Sequence, residues 1–172
     1  MDVAADAVFG FVGVVLGSLT TSALTIYKER IAGSREAAAR DQQFERDRKA
    51  ARDVFQRDSV LALQAAVTDL IKAAYDEMDR LLAELQETGE WTARVWETPT
   101  AAGWSAAVLS LEMAQARVFD DEIRALATEL RVAAGESVWA NDVEKCKQAS
   151  RQLESLQIQF HGAVARVLPT LY

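Results

Sequence analysis

The chain of 172 residues has few of the residues that form reactive or cross-linked sites: one cysteine, one histidine, two prolines and eight glycines. A single cysteine excludes a disulfide framework and a cysteine-based zinc site, and a single histidine excludes multi-histidine metal centres. No phosphate-binding or dinucleotide-binding glycine motif and no nucleophile elbow occurs. The sequence therefore predicts no catalytic residue, no cofactor and no metal, and we expect that the protein is not an enzyme.

The residues that could still carry chemistry all have structural interpretations. His161 follows an apolar position and has no glutamate or cysteine at metal-ligand spacing, so we expect a partly buried structural histidine. Cys146 falls on an apolar stripe, which predicts a small core residue. The acidic runs at residues 76–79 and 120–122 lack the Glu-x-x-His pattern of metal sites in helical bundles, so we expect them to face solvent.

The amino-terminal part of the chain has an uncharged run at residues 7–27. As a helix it would be about 31 Å long, which matches the hydrocarbon core of about 30 Å. A cleaved signal peptide is one alternative, but it fits poorly because Asp2 and Asp6 precede the run where basic residues are usual. A buried soluble helix is the other alternative. The sequence therefore predicts a single transmembrane helix.

The charges around this run predict its orientation. Acidic residues precede it, and Lys28, Arg30, Arg35 and Arg40 follow it. Because basic residues stay on the cytoplasmic side, we expect the N-terminus outside and the rest of the chain in the cytoplasm. Within the run, Gly13, Gly17 and Thr21 share one helix face, and small residues at this spacing favour association of membrane helices.

Residues 28–58 carry nine basic and seven acidic side chains in alternation. Acid–base pairs four residues apart each stabilise an exposed helix by about 0.3–0.5 kcal/mol, so we predict a charged helical stalk. Gly33 and Ser34 predict a break at its beginning. Phe44, Ala51 and Phe55 offer at most a thin coiled-coil seam. Nucleic acid is not an expected partner, because both signs of charge are mixed.

Residues 59–172 have helical periodicity throughout. We predict three helices at residues 59–88, 104–134 and 137–168, ended by Gly89, Gly135 and Pro169, that form an antiparallel three-helix bundle. The predicted buried stripe of the second helix includes Leu109, Met113 and Phe119, and that of the third begins at Trp139. Asn141 with Glu144 resembles a capping box at the start of the third helix. The predicted protein is therefore all-α.

The loop before the second predicted helix is rich in tryptophan: Trp91, Trp96 and Trp104 lie close together. Such residues either fold back to plug the open end of a bundle or are displayed as anchors for a partner. The sequence leaves both interpretations open.

These features predict a single-pass membrane protein with three parts: a tail and transmembrane helix (residues 1–27), a charged helical stalk (28–58) and a cytoplasmic three-helix bundle (59–172). We expect it to act as a non-catalytic interaction or scaffolding module. The expected partners are the lipid bilayer and either another protein or further copies of the chain, with no nucleic acid or small-molecule substrate. A regulatory or sensory subunit of a membrane-linked signalling or defence system is the first alternative. A soluble bundle with a buried first helix is the second.

Overall fold

In a computed structural model of the chain, the backbone is described for residues 3–91 and 100–171, and side chains within these ranges from residue 28 onward, except residue 29. These ranges contain four α-helices and no strand, so the predicted all-α class is confirmed. The helices are α1 (Val3–Thr88), α2 (Ala101–Gln115), α3 (Asp121–Val138) and α4 (Val143–Val167), followed by a short 3₁₀ helix, Leu168–Leu171. The chain divides into two units, residues 1–50 and 51–172.

In the first unit, α1 continues through Gly33 and Ser34, so the predicted break is wrong. A glycine inside a helix costs only about 1 kcal/mol relative to alanine, which neighbouring turns can offset. The Ser34 hydroxyl donates a hydrogen bond to the carbonyl oxygen of Ile31 at 2.9 Å, so it need not cap a new helix. Arg40 pairs with Glu36 at 2.7 Å, as the spacing predicts.

The described side chains contain no helical stretch that combines the length and the apolarity needed to cross a membrane. The predicted transmembrane helix at residues 7–27, with its association face of Gly13, Gly17 and Thr21, lies outside these described side chains. The transmembrane helix therefore stays a prediction from the sequence.

The second unit is a helical bundle in which α2, α3, α4 and residues 51–88 of α1 share one apolar core. Four helices form it instead of the predicted three, because the predicted helix at residues 104–134 is divided into α2 and α3. The largest completely buried apolar side chains come from all four helices: Leu63, Leu70, Leu81, Leu111, Ile123, Leu130, Leu153 and Phe160.

The division between α2 and α3 has a local cause at Asp120. This residue has an extended backbone (φ −70°, ψ 119°), and its carboxylate accepts a hydrogen bond from the backbone N–H of Ile123 at 2.9 Å. It is therefore an N-cap, and Asp121 and Glu122 in the first turn suit the positive end of the helix dipole. The acidic run at residues 120–122 thus starts a helix.

Gln56 of α1 holds the turn that joins α2 to α3. Its side-chain amide nitrogen donates to the carbonyl oxygen of Arg117 at 3.0 Å, and its amide oxygen accepts from the backbone N–H of Phe119 at 2.8 Å. The Gln56 side chain is buried, and both bonds are partly shielded from water. One side chain therefore satisfies a donor and an acceptor of a turn that has no helical partners for them.

Replacing Gln56 by alanine is expected to lower the free energy of unfolding by about 2 kcal/mol, because two partly buried backbone groups lose their hydrogen-bond partners. Urea unfolding followed by circular dichroism of the full chain measures this loss. Gln86→Ala, at an exposed position of the same helix, should change the value by less than about 0.5 kcal/mol. Equal unfolding midpoints for the two variants would contradict a stabilising role of Gln56.

Two glycines predicted to end helices differ in their outcome. Gly89 follows α1 with a positive φ of 74°, and its N–H donates to the carbonyl oxygen of Leu85 at 2.9 Å, as expected for a glycine C-cap. Gly135, in contrast, lies inside α3, which continues to Val138. The helical bonding persists beyond it, because the N–H of Trp139 donates to the Gly135 carbonyl oxygen at 2.9 Å.

Helix α4 begins one residue later than the predicted capping box implies. Asp142, and not Asn141, is the N-cap, and its carboxylate accepts from the backbone N–H of Lys145 at 2.8 Å. This hydrogen bond lowers the pKa of Asp142 below its usual range. At the other end α4 stops at Val167, two residues before Pro169, as predicted.

Candidate functional site

Two of the three tryptophans singled out in the sequence are held by the bundle. Trp91 is half-buried, packs against the small core cluster that includes Met78, and donates a hydrogen bond from its indole nitrogen to the carbonyl oxygen of Ala140 at 2.7 Å. Trp104 of α2 is buried in the main core. Trp96 lies outside the described residues.

A groove of about 1000 Å³ lies between α2, α3 and α4, and we call it the α2–α4 groove. Its buried lining residues include Gly135, which has no side chain, the methyl groups of Ala140 and Ala149, and the indole of Trp104. Trp139, the C-cap residue that follows α3, also lines the groove, and its ring lies edge-on to that of Trp104 with 6.4 Å between centroids. The groove therefore has a small-residue interior and an aromatic border.

Large apolar side chains are exposed along this groove. Leu109, Val132 and Trp139 line it, and Met113 lies one turn beyond Leu109 on α2. Their exposed fractions are 47–58%. We refer to these four as the groove-edge residues. They depart from the even scatter of single apolar residues that protein surfaces normally show.

The apolar spacing of the sequence does not identify these exposed residues, because it predicts three of them on buried helix stripes. Leu109 and Met113 were expected in the core of a long second helix, together with Phe119, which is also exposed. In the structure α2 ends at Gln115 and buries a different face, formed by Trp104, Ala107 and Leu111. The apolar spacing also predicts Trp139 on the buried stripe of the third helix, but it lies in the corner between α3 and α4.

The charged residues that line the α2–α4 groove are two acids and two bases. Arg131 approaches Glu112 to 4.0 Å across the groove. Lys145 donates to the side-chain oxygen of Asn141 at 2.8 Å and lies 3.4 Å from the carboxylate of Asp142. Glu136 is the second lining acid. The groove is therefore lined by apolar side chains and by charged side chains that can form hydrogen bonds.

The single cysteine and the single histidine lie outside any chemical constellation in the described part of the chain. Cys146 is buried as predicted, and burial raises the pKa of its thiol above the ordinary value. His161 was expected to be partly buried, but its side chain is exposed on α4 beside Phe160. Within the described residues, no three His, Cys, Asp or Glu side chains are grouped so that they could hold a metal ion.

The acidic run at residues 76–79 contains a charge that the sequence placed wrongly in solvent. Glu77 is completely buried. Its carboxylate accepts hydrogen bonds from Arg80 at 2.7 and 3.0 Å and from the hydroxyl of Thr100. These partners satisfy a buried carboxylate, which identifies Glu77 as a structural residue that joins α1 to the beginning of α2.

Gly135 is expected to tolerate a side chain. It lies inside α3, and a Cβ built on it meets no atom within 4 Å. Gly135→Ala should therefore raise the free energy of unfolding by about 0.5–1 kcal/mol, because alanine restricts the unfolded chain and favours helix. Gly162→Ala in α4, whose nearest neighbour is Arg166 at 3.8 Å, is a matched control with a similar expected gain. A loss at Gly135 alone, measured by urea unfolding, would contradict an open groove.

The α2–α4 groove is thus one place where the described residues leave apolar surface uncovered. Its lining offers apolar side chains at the surface and charged side chains beside them. Comparison of the chain with models of protein families, with curated proteins and with solved structures finds no match in any of the three.

Proposed function

We propose that this protein is a non-catalytic interaction module that holds a protein partner in the α2–α4 groove and is attached to a membrane by residues 7–27. The single observation that carries the interaction role is that three exposed apolar side chains, Leu109, Val132 and Trp139, line one groove, with exposed Met113 one turn beyond Leu109. Contiguous exposed apolar surface in a monomer marks interaction sites more often than chance.

The energy available from this surface supports the proposal. Burying a fully exposed large apolar side chain stabilises a complex by about 1.5–3 kcal/mol. Four side chains that are about half exposed therefore offer about 3–6 kcal/mol, which is the scale of a binding hot spot. Trp139 fits this role, because tryptophan is enriched among residues that dominate binding energies.

The tryptophans at positions 91 and 104 support the plug interpretation, since both pack against the bundle.

The membrane part of the proposal rests on the sequence. Residues 7–27 carry no charge, and four basic residues follow within the window that sets topology. Carbonate washing of cell membranes should leave the full chain in the pellet and release a chain that lacks residues 2–27. Recovery of the full chain in the soluble fraction would remove the anchor and leave the groove unaffected.

Site-specific photo-crosslinking in cells tests the interaction role. A photoreactive amino acid at position 109, inside the groove, is expected to give a discrete crosslinked product. The same substitution at Ile158, which is 75% exposed on α4 and does not line the groove, should give none. Equal crosslinking at both positions, or none at position 109, would contradict the proposed function.

A further inference from the structure

The charge of the chain is concentrated in its second unit. Residues 51–172 hold 19 acidic and 12 basic side chains, which accounts for the whole net charge of −7, whereas residues 1–50 hold equal numbers. A partner that approaches the bundle therefore enters a negative potential, which accelerates the association of cations and slows that of anions. A second copy of the bundle carries the same negative charge, which disfavours it as the occupant of the groove.

The bases that line the groove do not reverse this preference. Arg131 already lies beside Glu112, and Lys145 lies beside Asp142. Their charges are therefore largely balanced by acids of the chain itself. Basic residues on a partner would meet Glu136 in the groove, and they would approach a unit whose net charge is negative.

The shape of the groove favours a helix as the occupant. Three helices border it, and the lining residues of α4, from Lys145 to Gln152, extend over about 10 Å, or two turns of a neighbouring helix. Open space beside Gly135 leaves room for a bulky side chain to approach the backbone of α3. Amphipathic helices insert apolar side chains into grooves of this kind and leave their polar flanks outside.

We infer that the α2–α4 groove binds a cationic amphipathic helix of another protein, which inserts a bulky apolar side chain beside Gly135 and carries lysine or arginine on its flanks. This inference rests on the proposed function and adds the chemistry of the partner. The apolar face of the partner contacts the groove-edge residues, and its basic flanks face the acidic bundle.

Two synthetic peptides of about 18 residues test the inference. Both have the same stripe of leucine and one tryptophan, and the remaining positions are lysine in one and glutamate in the other. Fluorescence anisotropy of each labelled peptide is measured with the full chain in micelles of an uncharged detergent, with empty micelles as the blank. The lysine peptide is expected to bind about tenfold more tightly at low salt, and the preference should shrink towards one near 1 M salt.

Substitutions connect this binding to the groove. Gly135→Leu fills the groove and is expected to weaken lysine-peptide binding about tenfold, whereas Gly103→Leu adds the same side chain on α2 away from the groove lining and should have no effect. If Gly135→Leu does not fold, Trp139→Ala removes an exposed groove-edge side chain and should weaken binding similarly.

The outcomes separate this inference from the proposed function. Equal or tighter binding of the glutamate peptide would overturn the cationic partner, as would absence of binding by either peptide. Sedimentation that shows a dimer dissociated by Trp139→Ala would overturn it in favour of a second copy. In each case a specific crosslink at position 109 in cells would still support an interaction module, and only its absence would remove that function.

Discussion

Replacing Glu77 by alanine is expected to lower the free energy of unfolding by about 3 kcal/mol. The carboxylate is completely buried and accepts two hydrogen bonds from Arg80 and one from Thr100. Its contact with Arg80 also raises the pKa of that guanidinium above its ordinary value. Removing one partner of a buried ion pair costs about 3–5 kcal/mol, because the other charge stays behind without compensation.

The lower end of that range applies here for a structural reason. Arg80 is about one quarter exposed and also donates to Glu84 at 2.7 Å, so it keeps one carboxylate and some water after the substitution. The substitution affects Thr100 differently, because the hydroxyl of Thr100 loses the hydrogen bond to Glu77 that connects the start of α2 to α1. Glu77→Gln keeps an acceptor oxygen of similar shape and should cost about half as much.

Urea unfolding of the full chain measures this effect, and Asp79→Ala is the matched control. Asp79 is an exposed acid two residues further along the same helix, so its removal should change stability by less than about 0.5 kcal/mol. If both alanine variants unfold at the same urea concentration, the buried carboxylate contributes no more than a surface charge.

Replacing Phe160 by alanine is expected to cost about 4 kcal/mol. Phe160 is completely buried on α4 and belongs to the main core cluster, to which all four helices contribute. Truncation of a buried phenylalanine typically costs about 3–5 kcal/mol, since burial is lost and a cavity remains. Phe160→Leu keeps most of the volume and should cost about 1 kcal/mol.

An apolar residue on the same helix provides the control. Ile158 lies two residues before Phe160 and is 75% exposed, so Ile158→Ala removes little buried surface and should change the free energy of unfolding by less than about 0.5 kcal/mol. Comparable losses for Ile158→Ala and Phe160→Ala would mean that the assigned core face of α4 is wrong.

The sequence predicts well those helices whose apolar spacing is regular and whose ends are marked. In α4, Cys146, Leu153 and Phe160 are buried as expected. Residues at this spacing lie on one face of a helix, and an apolar face packs against the core. Gly89 ends α1 as expected, since its positive φ suits glycine. These features depend on residues near one another in the chain.

The missed features depend on competition between signals or on distant partners. The apolar spacing continues through residues 116–120 and conceals the N-cap at Asp120, so one long helix was predicted in place of α2 and α3. Burial of Glu77 depends in part on Thr100, which is 23 residues away. The α2–α4 groove arises only from the packing of three helices, and no local pattern specifies which apolar side chains that packing leaves exposed.

The carbonyl group of Ala140 connects the α2–α4 groove to a fluorescent side chain, the indole of Trp91. Ala140 lines the α2–α4 groove, and its oxygen accepts the bond from the indole of Trp91. A ligand that shifts the corner between α3 and α4 would therefore change the surroundings of the Trp91 indole and its emission, while Trp139, which lines the groove, would contact the ligand directly. Occupancy of the groove should consequently be readable as a change in intrinsic tryptophan fluorescence, without any attached dye.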